Sequence, residues 1–305
     1  MTSLTAFARP RPSARPSWAE PPTTLGRGAK ALILTVIVGV VIFPFITIIS
    51  TSFASDKQII DAGGYVLFPT HPTLAAYRAI LTGGVVTHAV VVSVGITVVG
   101  TLLSLITTTG LAYALSKPGV LAGKPVLLGV LFTLLFAPGI IPTYLVIKSL
   151  GLLDTYWSLI LPGLMTAFNL IVMRAFFMNL PRDLLDAARI DGAGDLTVLW
   201  RIVLPLSKAV IAVIGLFYAV SYWNSFFNAL LYLNDTSKWP IQLVLYTYVV
   251  KGKSLSAEQL GIQHIPPPQS IQMAVVVVAL VPIVLVYPFL QRYFTRGVLT
   301  GAIKG

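Results

Sequence analysis

No cysteine occurs in the chain, which excludes disulfides and thiolate metal sites without fixing a compartment. Charge is almost as scarce. Asp, Glu, Lys and Arg make up 10% of the 305 residues, against about 25% in an ordinary soluble domain. The three histidines, His71, His88 and His264, are scattered and no HExxH pattern occurs, so the sequence offers no cluster of metal ligands. A glycine-rich phosphate loop is missing too. The stretch KGKS at 251–254 imitates the end of one, but the earlier glycine it requires falls at Thr247. The chain is therefore not expected to hydrolyse ATP or to bind a cofactor of its own.

What is present is apolar: 56% of the residues are hydrophobic. A water-soluble fold of this length cannot hide so much apolar surface, so the expected solvent is a bilayer. Six blocks contain no Asp, Glu, Lys or Arg: 31–52, 85–115, 126–147, 157–173, 209–233 and 271–290. A spanning helix needs roughly 17–25 apolar residues, and backbone inside lipid must bond to itself. The expectation is an all-α polytopic membrane protein with six transmembrane helices. The fourth block extends to residue 178 past Arg174, and the second is long enough to tilt or project.

The basic residues orient it. With the N-terminus in the cytoplasm, the inner segments hold 15 Lys and Arg and the outer ones 6. Both termini then belong inside. The net charge of +11 reads as this topology signal, not as a nucleic-acid surface. Residues 1–28, rich in Arg, Pro and Ser, are expected to be a disordered cytoplasmic segment. The motif SFAS at 52–55 resembles a signal cleavage site, but the 22-residue block before it exceeds a signal core of about 7–15.

One inner segment stands apart. Nine of the 31 charged residues lie between Arg174 and Lys208. The pattern predicts two short helices. Pro181 suits the first turn, Asp183 and Asp186 lie near its positive end, and Gly192 and Gly194 break it. Asp195 is expected to cap the second, where Leu196, Leu199, Trp200 and Val203 recur on one face, and Pro205 to stop or kink it. Asp186, Ala187 and Ala188 make a small acidic knob. A solvated loop is the plainer reading of the same residues.

Those residues carry a resemblance. DAARIDGAGDLTVLWRIVLP (186–205) is similar to the Glu-Ala-Ala loop of permeases of binding-protein-dependent ABC importers. Asp186, Ala187, Ala188, Gly192, Ile202, Leu204 and Pro205 occupy the motif positions, with Asp in place of Glu. GIIPTYLVIKSLGLLDTYWSLILPG (139–163), YWNSFFNALLYL (222–233) and QRYFTRGVLTGAIKG (291–305) resemble the carbohydrate-uptake branch that includes the second maltose-permease subunit. The resemblance runs from about residue 32 to the end. It implies the type I importer permease fold in a bacterial plasma membrane, with a permease domain at 29–291 and a cytoplasmic tail at 292–305. A coupling loop near 179–207, between helices 4 and 5, would carry a cytoplasmic coupling helix. The implied partners are a second permease, two copies of a cytoplasmic ATPase that bind ATP and Mg, and an extracellular solute-binding protein that delivers a sugar. ATP-driven closure of the ATPase dimer would open the permeases outward. Lys304 and Gly305 lie in a tail that reaches the ATPases in the family.

Two readings are open for the polar residues inside the spans. Asn169, Ser221, Asn224 and Asn228, with Tyr222 or Trp223 as a ring face, line a sugar pathway, or they staple helices. Ser221, Asn224 and Asn228 are expected on one helix face. Ser93, Thr97, Thr101, Ser104 and Thr108 form a small, weakly polar stripe that suits close helix packing. Pro138 and Pro142 interrupt the third span. Residues 71–81 suit a short surface helix, and Trp239 with Pro266–Pro268 would order the second outer loop. The rival class is an ion-coupled secondary transporter, which calls for intramembrane carboxylates; the six blocks contain none.

Overall fold

The computed structural model describes residues 23–82, 84–252 and 268–302, with side chains of the last helix as far as 288. Of the N-terminal segment expected to be disordered, residues 1–22 lie outside the described residues, while Thr24–Gly28 already belong to a helix, which corrects the expected boundary. The KGKS ending, His264, Pro266, Pro267 and the tail residues Lys304 and Gly305 also lie outside the described residues.

Two units are distinguished, one ending at Thr47 and one running from Ile48. The first consists, where described, of most of helix α1 (Thr24–Ser52). Its side chains, such as Leu32, Ile37 and Val40, are exposed on every side, the signature of a helix made for lipid or for another chain. Pro44 removes one internal hydrogen bond, and the Thr47 hydroxyl donates to the Phe43 carbonyl beside it at 3.1 Å.

Among its described residues the second unit contains helices and connecting turns but no strand. The segment before its first long helix holds α2 (Asp56–Asp61) and α3 (Ala75–Leu81), the latter within the short helix expected at 71–81. Thr51 and Tyr77 tie this segment down: the Thr51 hydroxyl bonds both backbone groups of Val66, and Ser52 Oγ lies 2.7 Å from the Tyr77 hydroxyl. Next comes α4 (Val85–Ser116), a 32-residue helix that covers the second charge-free block. Then come α5 (Gly123–Leu135) and α6 (Ile140–Ser149), α7 (Trp157–Ile160) with a 3₁₀ turn, and α8 (Ala167–Met178). The inner segment gives α9 (Arg182–Ile190), α10 (Asp195–Val198), a π turn (Leu199–Val203) and α11 (Leu204–Leu206). It leads into α12 (Lys208–Trp223) and α13 (Phe226–Tyr232). The chain continues through α14 (Ile241–Leu245) to α15 (Pro268–Ala302).

Among the described residues, three helical stretches are long and apolar enough to cross a membrane: Thr24–Ser52, Val85–Ser116 and Pro268–Pro288. Counting each of two bent pairs as one span raises this to five. Three of the six charge-free blocks are interrupted, the third of them where its prolines predict a break, and each interruption has a local cause. Block 126–147 is divided at Pro138–Gly139, where Gly139 takes a φ of 85°. Block 157–173 bends by 48° between Gly163 and Ala167. Block 209–233 breaks at Asn224–Ser225, where Phe226 N donates to the Asn224 carbonyl at 2.8 Å and closes a tight turn.

The core lies where α4, α8 and α12 meet. Ala112, Leu170, Met173, Ile214 and Tyr218 are almost wholly buried there. A second cluster joins α3 to α14 and to the N-terminal halves of α4 and α15, where Trp223 Nε1 donates to the Ala279 carbonyl at 3.1 Å.

Candidate functional site: the inner segment and the broken spans

Helix α9 has no buried residue. Its first turn carries Asp183 and its last Arg189, the arrangement that complements a helix dipole. Leu185 and Ala188 are half-buried against the core, whereas Ile190 is 86% exposed. Asp186 is exposed, and Arg189 one turn on approaches its carboxylate at 3.5 Å.

The helix ends where the glycine pattern placed its end. Gly192 takes a φ of 81°, which a side chain resists. Its N–H donates to the Arg189 carbonyl at 3.0 Å, and Ala193 N–H reaches back to Ala188 at 2.9 Å, the paired bonds of a Schellman cap. Ala188 and Gly192 therefore shape the knob whatever they touch outside it.

Two expectations for the second inner helix are corrected. Asp195 is its first residue and does not cap it; Gly194 stands at the cap. The Asp195 carboxylate instead meets Lys117 Nζ at 2.7 Å, which lowers its pKa below the ordinary carboxylate range. The expected apolar face is also only half formed. The π turn at Leu199–Val203 adds a residue per turn and shifts the phase. Val198, Leu199 and Val203 are buried, while Leu196 and Trp200 remain 73% and 69% exposed. After Pro205 the chain turns by 85° between Leu206 and Lys208, so the segment from Asp195 lies across the direction of α12.

Within the helix bundle, the organising residues are two tyrosines of α12. Tyr218 Oη lies 2.6 Å from Thr108 Oγ1 and accepts Thr166 N–H at 3.2 Å. Tyr222 Oη lies 2.8 Å from Ser104 Oγ and donates to the Ile160 carbonyl at 3.1 Å. The Thr107 hydroxyl reaches the Leu164 carbonyl at 3.1 Å. Ile160, Leu164 and Thr166 belong to the bend of the fourth span. Its freed backbone groups are thus bonded from α4 and α12, as non-helical backbone inside a membrane requires. Gly100 permits this: a Cβ there would stand 2.8 Å from the Tyr222 ring.

The expected pathway residues separate. Tyr222 and Trp223 are buried and hydrogen-bonded as helix staples, and Asn169 is buried in α8. Ser221, Asn224 and Asn228 are exposed. They do not share one helix face as expected, because the chain breaks between Asn224 and Asn228; Asn224 Nδ2 donates to the Val220 carbonyl at 3.0 Å. His88 is exposed near the outer end of α4, in a shallow apolar cavity shared with Trp157.

Sequence reasoning missed two clusters. One is Lys117 on Asp195. The other joins the loop before α7 to the segment after α13. Asp154, at a φ of 60°, accepts backbone N–H groups of Asn234 and Asp235 at 3.1 and 3.0 Å and Lys238 Nζ at 2.9 Å. Asp tolerates this left-handed conformation better than most residues, and that was the available signal.

The sequence model of the family described as "Binding-protein-dependent transport system inner membrane component" matches residues 101–300. The polygalacturonan/rhamnogalacturonan transport system permease protein YtcP of Bacillus subtilis (strain 168) is 46% identical over 266 residues, 87% of this chain and 93% of that protein. Protein LplC of the same organism is 47% identical over 268 residues, 87% and 90% of the two chains. A solved structure described as a bacterial ABC transporter involved in the import of the acidic polysaccharide alginate matches with a TM-score of 0.81. Identity there is 31%, over 88% of this chain and 96% of that one.

Proposed function

The chain belongs to the family of binding-protein-dependent transport system inner membrane components, and on that premise we propose that residues 179–207 are its coupling loop and α9 its coupling helix. Membership makes the chain a permease subunit of an ATP-driven ABC importer of the sugar class, a translocation component and not an enzyme. The observation that carries the finer reading is α9 itself, a nine-residue helix with no buried residue. Asp186, Ala187 and Ala188 form its knob and Gly192 its end. Leu184, Ile190, Leu196 and Trp200 add exposed apolar surface around it. Such a surface at the charged inner end of a membrane protein supports a protein partner. In this reading the partner is one of two ATPase subunits, which hold the ATP and Mg.

The remaining assembly follows from the same premise. α5 and α6 are read as one interrupted span, giving six spans, with permease domain 29–291 and both termini cytoplasmic in the bacterial plasma membrane. A second permease completes the pathway, and an extracellular binding protein delivers the cargo. The proposed cargo is an acidic oligosaccharide of uronic-acid type, supported by the names of YtcP and of the alginate importer. Ser221, Asn224 and Asn228 are the residues placed on the pathway, since they are exposed polar groups at a helix break.

The test is co-purification with the ATPase and uptake of galacturonate oligomers. Asp186→Lys is expected to abolish ATPase retention or ATP-driven uptake while membrane insertion stays normal. Normal retention and normal uptake in that variant would remove the docking role. Import of neutral gluco-oligomers in preference to galacturonate oligomers would overturn the cargo class.

A further inference from the structure

We propose that Lys117, Tyr113 and Asp195 form a latch that makes the second span follow the coupling helix, so that Lys117 is a positioning residue for coupling and not part of the docking surface. The inference rests on reading 179–207 as the coupling loop.

The linkage between α9 and the rest of the chain is thin. Beyond the Schellman cap formed by Gly192 and Ala193, only Gly194 leads into α10. Glycines hold direction poorly, so this connection alone transmits little of a push on α9. The latch sits at the first residue after it. The Asp195 carboxylate meets Lys117 Nζ at 2.7 Å, and the Asp195 carbonyl accepts the Tyr113 hydroxyl at 3.1 Å. Lys117 Nζ lies 4.2 Å from the Tyr113 ring centre, a cation over an aromatic face. Its side chain is only 20% exposed. One end of the coupling segment is thereby fastened from both its side chain and its backbone.

What it is fastened to matters more. Lys117 caps α4, and on the same last turn the Leu115 carbonyl accepts Arg174 Nε at 2.8 Å. The end of α4 that the latch holds is thus also tied to α8, through Arg174. Along α4 lie Gly100, Ser104, Thr107 and Thr108, the residues that hold Tyr218, Tyr222 and the bend of the fourth span. One helix thus joins the latch to the interrupted backbone. Proximity alone does not establish coupling, so the test must separate transmission from docking and from folding.

The energetics favour a clean test. Asp195 is 65% exposed, and ion pairs of that kind contribute little to folding stability. Lys117→Met keeps the aliphatic stem and removes the charge; Lys117→Arg keeps the charge. The complete transporter, with both permeases, the ATPase dimer and the binding protein, is reconstituted in proteoliposomes with galacturonate oligomers as the probe. In Lys117→Met, assembly and ATP hydrolysis persist while oligomer imported per ATP falls about fivefold or more, the scale of an ordinary coupling free energy. Asp195→Asn shows the same loss and Lys117→Arg restores coupling. Because the chain has no cysteine, spin labels at Leu121→Cys and Asp191→Cys report the latch without any cargo. Their separation stays narrow through the ATP cycle in the native background and broadens in Lys117→Met. Unchanged import per ATP together with an unchanged label distribution overturns the latch. Loss of the ATPase from Lys117→Met also overturns it, by making Lys117 a docking residue. Asp186→Lys in the same vesicles keeps the two claims apart: if it alone is uncoupled, docking stands and the latch falls, and if both variants transport normally, docking falls as well.

Discussion

Tyr218 Oη and Thr108 Oγ1 lie 2.6 Å apart in the buried seam between α12 and α4. Four residues on, Tyr222 repeats the contact with Ser104, four residues back along α4. Two antiparallel helices with matched four-residue spacing place a phenol against a small hydroxyl twice in succession. The same phenols bond the Thr166 N–H and the Ile160 carbonyl, so the seam between two spans also supports the bend in a third.

Gly100 is the point of closest approach in that seam. Gly100→Ala puts a methyl 2.8 Å from the Tyr222 ring, and the ring is buried too tightly to withdraw. The expected cost is about 1–3 kcal/mol, as for other overpacked sites. Thermal unfolding in detergent measures it. Gly110→Ala on the same helix, where an added Cβ meets nothing within 4 Å, is expected to leave the transition unchanged or slightly raised.

Tyr222→Phe removes one hydroxyl and leaves Ser104 Oγ and the Ile160 carbonyl short of a partner. A loss of roughly 1–3 kcal/mol of stability is expected, because buried polar groups are costly to abandon. Cargo preference should not change. Asn228→Ala is expected to do the reverse, altering uptake of galacturonate oligomers with little change in melting. Measuring both quantities for both variants separates a staple from a pathway residue.

Gly192→Ala forces a side chain into a left-handed cap at a cost of about 1–2 kcal/mol. The spans do not depend on this turn, so insertion should stay normal. The expected defect is weaker retention of the ATPase in co-purification, because α9 loses its fixed end. Retention equal to the native chain would show that the cap has no part in presenting the knob.

Asp154, in the loop before α7, supplies a pH test. Backbone N–H from Asp235 and the Lys238 ammonium hold its carboxyl below the ordinary value. A carboxyl depressed in the folded state stabilises it above the unfolded-state pKa of about 3.9, and that contribution fades as pH falls through the lower folded value. The melting temperature of the native chain should therefore drop more steeply below about pH 4 than that of Asp154→Asn. Asn also accepts the left-handed backbone, so the local shape is kept. Parallel slopes would mean that the cluster does not link the two loops energetically.

Part of this was legible in the residues. The spacing of Asp186, Ala187, Ala188 and Gly192 marked a short helix and its end, and the Schellman cap at Gly192 lies where the pattern put it. The small stripe on α4 announced close packing, and Ser93, Ser104 and Thr108 are buried in contacts with neighbouring helices. The face expected at Leu196 and Trp200 did not form, because a π turn is a change of register that a fixed 3.6-residue period does not contain. The shared face of Asn224 and Asn228 failed for a related reason. Counting four residues assumes an unbroken helix, and the chain turns at Ser225.

Composition alone determined the solvent of this chain. Six charge-free blocks must have their backbone groups bonded within the protein, and the split of 15 basic residues against 6 is the bias from which an orientation is expected. These properties are sums over residues and need no knowledge of neighbours. Tertiary structure decided where the helices break and what repairs each break. An interrupted helix exposes backbone groups whose cost depends on partners a hundred residues away, such as Tyr218 for Thr166 and Tyr222 for Ile160. That pairing became visible only once α4, α8 and α12 stood side by side.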